Sequence, residues 1–204
     1  MGSKPYDPRD AYYRKAKQAG LRARSAYKLE EIARRFALYR PGMTVLDLGA
    51  APGGWLQILS RLVGPRGLVV GVDLQPIEPV APNVRTVVGD IHEPATQEAI
   101  RVLRAEAFDA LTSDMAPKTT GIKDVDEARS VELVRTALHL CDAFLRPGGS
   151  LVAKVFEGGE FPALLGEFRQ RFERVRPIRP EATRGRSFEI YVVAAGFRGA
   201  AATD

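Results

Sequence analysis

Short apolar runs typical of β-strands alternate in this chain with longer segments whose apolar residues recur every three or four positions. The strand-like runs are MTVLDL, LVVGVDL, VRTVV, FDALTS, SLVAKVF and FEIYVVAAG, and the longest helical segments are SAYKLEEIARRF and VDEARSVELVRTALHLCDAFL. This alternation predicts an α/β fold in which right-handed crossovers join mostly parallel strands and helices cover both faces of the sheet. Ligands of such sheets bind beyond the carboxyl ends of the strands.

Size and composition fit one such domain. The chain has 204 residues, 45% of them hydrophobic, and it contains no internal repeat or evident linker, so we expect a single domain over residues 1–204. No apolar run approaches the roughly 20 residues of a membrane span, and the first residues lack the apolar core of a signal peptide. We therefore expect a cytoplasmic protein.

Neither a disulfide nor a metal site is indicated. Cys141 is the single cysteine, so it cannot form an internal disulfide, and His92 and His139 are isolated from other metal-binding residue types. The sequence therefore predicts a site that works without a bound metal.

A glycine-rich turn, DLGAAPGGW, follows the first strand-like run. Gly49, Gly53 and Gly54 let the backbone approach a ligand closely, and the next helix presents free N–H groups. The spacing differs from G-x-G-x-x-G, and no lysine follows as it would in a triphosphate-binding loop. Asp73 ends the next run, where a carboxylate can accept the hydroxyls of an adenosine ribose, as in nicotinamide and adenosylmethionine enzymes. The pattern predicts an adenosine cofactor, with a ligand-free tight turn as the structural alternative.

Two further charged residues lie at the ends of strand-like runs. Asp114 follows FDALTS, and Lys154 lies inside the apolar run SLVAKVF. Burial of a lysine is unfavourable because desolvation disfavours its charged form, so its amine either reaches solvent at the strand end or is retained for a function. Burial beside another cation is the environment in which a lysine becomes a general base.

Basic charge is segregated along the chain. The formal net charge is +5, but residues 1–40 carry eleven Lys or Arg against four Asp or Glu, whereas residues 41–166 carry eleven against sixteen. Seven arginines lie in residues 168–186. This distribution predicts a polyanionic partner contacted from both ends of the chain, with solvated helix faces as the alternative.

Five segments together resemble a known family. RARSAYKLEEI, VLDLGAAPGGW, SDMAP, PGGSLVAKVF and RSFEIYVVA occur in this order, and through them the chain resembles the FtsJ-like ribosomal RNA 2′-O-ribose methyltransferases from about Arg9 to Gly196. The resemblance implies a Rossmann-like methyltransferase fold with a mostly parallel seven-stranded sheet whose last strand is antiparallel. It also implies S-adenosylmethionine as the methyl donor.

The resemblance assigns roles to individual residues. The family's catalytic set of two lysines and two acids falls on Lys28, Asp114, Lys154 and Glu189. In that assignment Lys154 holds or deprotonates the ribose 2′-hydroxyl, and Asp114 orients Lys154. Lys28 contacts ribose or phosphate, and Glu189 orients a lysine or the hydroxyl. The implied cofactor contacts are Gly49, Pro52, Gly53, Gly54, Trp55, Asp73, Leu74, Asp90, Ile91 and Asp114, although packing of the following helix is the alternative for Trp55 and a turn cap the alternative for Asp90.

The basic ends of the chain are expected to bind RNA, with residues 1–40 forming a basic N-terminal segment of the domain. The assigned residues are Arg14, Lys15, Lys17, Arg22, Arg24, Arg184 and Arg186. From the family we expect a monomer that methylates a uridine of 23S ribosomal RNA, either naked or within the 50S subunit. A tRNA 2′-O-methyltransferase, a non-catalytic ribosome-assembly protein and a nicotinamide-dependent oxidoreductase are the alternatives.

Overall fold

The computed structural model describes residues 11–183 and 187–199, and these form one sheet with helices on both faces. The strands are β1 (Thr44–Leu48), β2 (Leu68–Asp73), β3 (Val84–Val88), β4 (Phe108–Ser113), β5 (Leu145–Phe156), β6 (Phe172–Ile178) and β7 (Glu189–Phe197). The helices are α1 (Ala11–Gln18), α2 (Ala26–Phe36), α3 (Gly54–Val63), α4 (Pro94–Leu103), α5 (Lys123–Phe144) and α6 (Phe161–Arg171).

The sheet has seven strands in the order β3-β2-β1-β4-β5-β7-β6. The first five strands in this order pair in parallel, whereas β7 is antiparallel to both of its neighbours, β5 and β6. The predicted α/β class, with a mostly parallel sheet and an antiparallel last strand, is therefore confirmed. Strand order reverses between β1 and β4, which is where sheets of this kind bind ligands.

The central strands are apolar because both of their faces are covered. Every residue of β1 is buried, as expected for a parallel strand between two helical layers. On one face, Leu29 of α2 and Leu56 of α3 belong to a cluster that also includes Ala16 of α1. On the other face, residues of α4, α5 and α6 such as Ile100 and Phe168 form a second cluster. Helices thus lie on both faces, as predicted.

Two elements were not recognised in the sequence. In the strand β6, the buried positions 172, 175 and 178 are separated by the exposed pairs Glu173–Arg174 and Arg176–Pro177, so its sequence reads as a basic stretch. As an edge strand it tolerates Pro177, which cannot donate a ladder hydrogen bond. The short basic helix α1 also lacks a long apolar stripe. In addition, β5 begins at Leu145, five residues before the predicted Ser150, and its pairing with β4 shifts register in that region.

Candidate functional site

Four charged side chains meet at the edge of the sheet where the parallel strands end. Asp114 follows β4, and Lys154 lies near the end of β5. Because β7 runs antiparallel to β5, its first residue, Glu189, pairs with Phe156 at that same edge. Lys28 reaches the site from the first turn of α2. The structure therefore brings together the four residues that the family resemblance assigned to catalysis.

These four side chains form two ion pairs. Lys28 Nζ lies 2.5 Å from Glu189 Oε2, and Lys154 Nζ lies 3.0 Å from Asp114 Oδ1. Lys154 Nζ also donates to the main-chain carbonyl of Asp114 at 2.7 Å. Lys28 is 3% exposed and Lys154 is 6% exposed. Burial of two charged lysines has a large desolvation free energy unless each lysine is paired with a carboxylate. The two ion pairs therefore stabilise the site.

The charge of Glu189 is stabilised by its neighbours. Burial alone raises the pKa of this carboxyl, but the charge and hydrogen bond of Lys28, together with the charge of Lys154, outweigh burial and hold the pKa below its ordinary value. Glu189 is therefore an anion at neutral pH. Since Lys154 acts on it electrostatically, the two ion pairs belong to one group of interacting charges.

The structure adds Tyr191, which the sequence analysis did not assign. Its hydroxyl donates to Asp114 Oδ1 at 3.1 Å, and its ring lies 5.6 Å from Lys28 Nζ. Burial raises the pKa of Tyr191 far above the ordinary range, and the charges of Asp114 and Glu189 raise it further, so the hydroxyl remains a donor. Tyr191 lies two residues after Glu189 in one strand, and this period-2 spacing was the signal that could have identified it.

The glycine turn between β1 and α3 adopts backbone conformations that favour glycine. Gly49 has φ 72° and Gly53 has φ 105°, and Pro52 follows a cis peptide bond. A Cβ atom on Gly49 would lie 2.8 Å from Met115 Cγ and 2.9 Å from the Met115 main-chain nitrogen, so a side chain would clash with the loop after β4. Gly54, at the start of α3, is buried. The turn therefore packs directly against the segment that carries Asp114.

Trp55 has a packing role. It is 3% exposed, its Nε1 donates to the Ser25 main-chain carbonyl at 3.0 Å, and its ring lies 5.9 Å from that of Tyr191. The side chain thus joins α3 to the start of α2 and packs against Tyr191, as the helix-packing alternative expects. The predicted contact of Trp55 with a cofactor stays a prediction.

Asp73, at the end of β2, braces the glycine turn. Its Oδ2 accepts the Ala51 N–H at 2.9 Å, and its Oδ1 accepts the Gln75 N–H at 2.9 Å. Each carboxylate oxygen keeps a further lone pair for a ligand hydroxyl. Leu74 beside it is 70% exposed, so it presents an apolar surface that a planar ring can cover. Both residues fit an adenosine ligand.

Asp90 and Ile91, the last two residues predicted to contact the cofactor, follow β3 and have different surroundings. Asp90 is exposed, and its Oδ1 accepts the His92 N–H at 2.9 Å, which is the turn-capping contact given as its alternative. Ile91 is 7% exposed and belongs to the hydrophobic core. Any contact of Ile91 with a ligand is therefore limited to its main chain or the margin of its side chain.

Asp47, in β1, lies inside the protein. It is fully buried, and its Oδ1 accepts the Thr112 hydroxyl at 2.7 Å. Burial raises the pKa of Asp47 far above its usual range, although the Thr112 hydrogen bond acts in the opposite direction. Asp47 thus links β1 to β4 and does not face a ligand.

The basic residues predicted to bind RNA have different surroundings. Arg14, Lys15 and Lys17 are exposed on α1, with Lys15 Nζ 4.9 Å from the centre of the Tyr27 ring. Arg24 is half-buried, and its charge acts on the Tyr191 hydroxyl. Arg184 and Arg186 lie outside the described residues.

Arg22, which is predicted to bind RNA, also makes contacts within the protein. Its guanidinium donates to three main-chain carbonyls, those of Pro52 at 3.3 Å, Glu78 at 2.6 Å and Pro79 at 2.6 Å. The first carbonyl belongs to the glycine turn, and the other two belong to the loop after β2. The side chain predicted to bind phosphate is therefore engaged within the protein, where it ties together two segments of the cofactor site.

The described residues contain neither a group of metal ligands nor a membrane-spanning helix. Among residues 11–183 and 187–199, no three His, Cys, Asp or Glu side chains are grouped as metal ligands would be. No helix within these ranges has both the length and the apolar character needed to cross a membrane.

Comparison with known proteins identifies similar chains. The family model described as FtsJ-like methyltransferase matches residues 21–197. A protein of Anaeromyxobacter sp. named ribosomal RNA large subunit methyltransferase E is 57% identical over 201 residues, covering 98% of this chain and 73% of that protein. A protein of Myxococcus xanthus with the same name is 53% identical over 191 residues, covering 93% of this chain and 90% of its own length.

A solved structure has a similar fold. The crystal structure of a Plasmodium falciparum protein described as a ribosomal RNA methyltransferase superposes with a TM-score of 0.79 at 26% identity, covering 88% of this chain and all of that chain. The glycine turn, the strand-end acids and the two buried lysines all lie within the range that the family model matches.

Proposed function

The chain belongs to the FtsJ-like methyltransferase family, and from this membership we propose that it transfers a methyl group from S-adenosylmethionine to the 2′-hydroxyl of a ribose in ribosomal RNA. The observation that carries the proposal is the meeting of two buried lysine–carboxylate pairs, Lys28 with Glu189 and Lys154 with Asp114, beside the glycine turn. A nicotinamide-dependent oxidoreductase would not need this pair of lysines, and the family match disfavours it.

The residues around the turn suit S-adenosylmethionine. Asp73 would accept the ribose hydroxyls, Leu74 would cover the adenine, and Gly49 and Gly53 would leave room for the chain of the ligand. Asp114 provides a negative charge at the adjacent strand end, which suits a positively charged group. When bound, S-adenosylmethionine supplies a methyl group already activated by its sulfonium.

The remaining chemistry is positioning of the acceptor and removal of one proton. The 2′-oxygen forms a bond to the methyl carbon, the bond between that carbon and the sulfonium sulfur breaks, and the donor leaves as a neutral thioether. The 2′-hydroxyl proton passes to the group of interacting charges, and we assign Lys154 Nζ to accept it after Lys154 has given up a proton of its own to that group. Asp114 fixes Lys154 through two contacts, and Tyr191 fixes the Asp114 carboxylate. Lys28 and Glu189 would orient the hydroxyl from the other side. Because the charges of these four side chains interact, the proton from the 2′-hydroxyl is shared among them, and Lys154 is the residue that we assign to receive it first.

The RNA target is proposed from the relatives. Two proteins that this chain matches over more than nine-tenths of its length carry the name ribosomal RNA large subunit methyltransferase E. We therefore propose 23S ribosomal RNA as the substrate, in the cytoplasm where ribosomes are assembled. The exposed basic side chains of α1 would contact RNA phosphates, and residues 1–204 would act as one domain.

Replacement of Lys154 by methionine tests the catalytic assignment. We expect transfer of labelled methyl to 23S ribosomal RNA to fall by at least about 100-fold, because the proton acceptor is lost while the side-chain volume is kept. Calorimetric affinity for S-adenosylmethionine should change little. The RNA is supplied both as a transcript and within large subunits from cells lacking the protein, and mapping of ribose methylation identifies the acceptor.

Arg66→Met is the matched control. Arg66 is an exposed cation that precedes β2, at the opposite end of the parallel strands, so its loss should leave turnover unchanged. Undiminished turnover by a folded Lys154→Met protein would remove Lys154 from the mechanism. Absence of methyl transfer by the wild-type protein on both substrates would contradict the proposed function itself.

A further inference from the structure

A cavity of about 300 Å³ adjoins the ion pair of Lys28 and Glu189. Its walls come from the loop before α5, the first turns of α5, the end of β5 and the start of β7. The lining includes Thr119, Lys123, Glu127, Phe156, Phe188 and Glu189. Glu189 belongs both to this cavity and to the ion pair with Lys28, so the cavity opens directly onto the candidate catalytic group.

Phe188 gives the cavity an exposed aromatic wall. Its side chain is 56% exposed, and among the exposed large apolar side chains of the described residues it is the one aromatic ring. Lys123 Nζ lies 5.0 Å from the ring centre. The backbone here is fixed, because the Phe188 carbonyl accepts the Glu157 N–H at 2.8 Å. An exposed aromatic ring on a fixed backbone is what proteins use to stack unpaired bases.

The charge of the cavity wall disfavours a phosphate there. Asp126, Glu127, Glu157 and Glu189 all line it, whereas Lys123 is the one basic residue among the described residues of the lining. Asp126 is already occupied by main-chain N–H groups of residues 120 and 121, and its pKa is held below the ordinary value by them. Glu189 is paired with Lys28 and Glu157 with Arg179, so the described wall has no excess of positive charge for a phosphate and suits an uncharged ring that carries N–H donors.

Glu127 is the acceptor best placed to recognise such a ring. It is 8% exposed, and its Oε1 accepts the Glu160 N–H at 2.8 Å, which anchors the carboxylate in the wall. The space beside it is tight, because a Cβ atom on Gly158 would overlap its carboxylate. A carboxylate held in this way retains lone pairs for an N–H donor at the edge of a base.

We propose that this cavity binds the nucleobase of the acceptor nucleotide, with Phe188 stacking on the base and Glu127 accepting an N–H from its edge. This inference rests on the proposed function and names the part of the RNA that enters the site. A base held beside Glu189 places its own ribose at the two ion pairs. The protein thus selects an unpaired nucleotide, since a base stacked within a helix cannot enter the cavity.

Binding is tested without any methyl transfer by placing a tryptophan at the stacking position. The chain has a single tryptophan, the buried Trp55, so Phe188→Trp adds one exposed reporter. We expect a short oligouridylate RNA to quench the added emission in a saturable manner. Inorganic phosphate at the same ionic strength should cause no such quenching. The matched control is Val102→Trp, because Val102 is 79% exposed on α4 and is absent from the cavity lining.

Kinetics provide the second measurement. We expect Phe188→Ala to raise the KM for RNA about tenfold, since loss of one base-stacking contact weakens binding by roughly that factor. Affinity for S-adenosylmethionine should be unchanged, and Phe188→Tyr should restore most of the loss. Val102→Ala should behave as wild type.

The two proposals fail in different ways. No quenching of Phe188→Trp by oligouridylate, or equal quenching by phosphate, would overturn the base pocket even if the wild-type protein methylates RNA. An unchanged KM for RNA in Phe188→Ala would overturn it as well. Conversely, saturable quenching by a wild-type-like fold that transfers no methyl group would support the base pocket and contradict the proposed function.

Discussion

Asp114 receives two donors on one carboxylate oxygen, and this arrangement controls the geometry of the candidate catalytic group. Lys154 Nζ and the Tyr191 hydroxyl both reach Oδ1, and Lys154 also contacts the Asp114 main-chain carbonyl. A lysine held by two acceptors of one residue has little freedom to turn. The tyrosine limits rotation of the carboxylate in the same way, so we expect it to influence the proposed reaction through Asp114.

Replacement of Tyr191 by phenylalanine isolates that contribution. The ring and its packing on Trp55 remain, while the hydrogen bond to Asp114 is lost. A hydrogen bond to a charged group contributes about 1.5 kcal/mol, so kcat should fall roughly tenfold with little change in the KM for RNA. Steady-state kinetics check this split. A variant with raised KM and unchanged kcat would indicate that Tyr191 serves RNA binding instead.

Residues 20–25, which join α1 to α2, form a strap across the start of α3. The Gln57 side chain donates to the Gly20 carbonyl at 3.0 Å and accepts the Arg22 N–H at 2.9 Å. Trp55 donates to the Ser25 carbonyl from the same helix. Ser25 precedes α2 and makes no side-chain cap of that helix. The strap thus connects the element that carries Lys28 with the glycine turn.

Arg22→Ala should weaken cofactor binding, because the guanidinium joins the glycine turn to the loop after β2. We expect the Kd for S-adenosylmethionine to rise about tenfold, and Arg22→Lys to restore only part of it, since a lysine cannot bridge three carbonyls. Calorimetry measures both, with the exposed Arg34→Ala on α2 as the control. If Arg22→Ala bound S-adenosylmethionine normally and RNA more weakly, the result would indicate that Arg22 binds RNA phosphate and does not support the cofactor site.

The helix α1 carries exposed basic residues that we expect to contact RNA phosphates. Removal of two charges, Arg14→Ala with Lys17→Ala, should weaken binding and reduce the slope of log K against log salt by about 1.5, because each phosphate contact contributes roughly 0.7 to 0.9. Filter binding over a salt series measures the slope. The pair Arg61→Ala with Arg66→Ala, at the other end of the sheet, should leave it unchanged. An unaltered slope in the α1 variant would show that Arg14 and Lys17 do not contact RNA phosphates.

At the scale of the whole molecule, the fold protects several acidic groups from ionisation. Cys141 is fully buried in α5, and burial raises the pKa of its thiol from an ordinary value of 9.0 to about 12. The buried hydroxyls of Tyr39 and Tyr191 also have raised pKa values, chiefly through burial. Unfolding exposes these groups, so the unfolded chain loses their protons at lower pH than the folded protein does.

Stability should therefore decline in alkali. The contribution of Cys141 is fully present below pH 9 and is lost as the pH rises towards 12, on the order of 2 kcal/mol by pH 10.5. Urea unfolding at a series of pH values measures the decline. Cys141→Ala should show a shallower dependence on pH than the wild type, whatever its stability at pH 7. Equal slopes for the two proteins would contradict this assignment of the thiol.

The sequence by itself determined the α/β class, the glycine turn and the identities of Lys28, Asp114, Lys154 and Glu189. Each of these follows from local periodicity, from turn chemistry or from family motifs, and none requires knowledge of what lies across the fold. The strand β6 and the helix α1 were missed because a short edge strand and a short basic helix bury too few residues to impose a periodic pattern.

Only the tertiary structure decided which groups interact. Lys28 and Glu189 are separated by 161 positions, and they meet because the antiparallel β7 starts at the edge where β5 ends. The same packing gives Tyr191 its contact with Asp114 and turns Arg22 inward to three carbonyls. Local sequence encodes whether a segment buries an apolar face. Which polar side chains pair across the fold depends on how the helices and strands pack together. Burial then requires each of these polar groups to have a hydrogen-bonding partner.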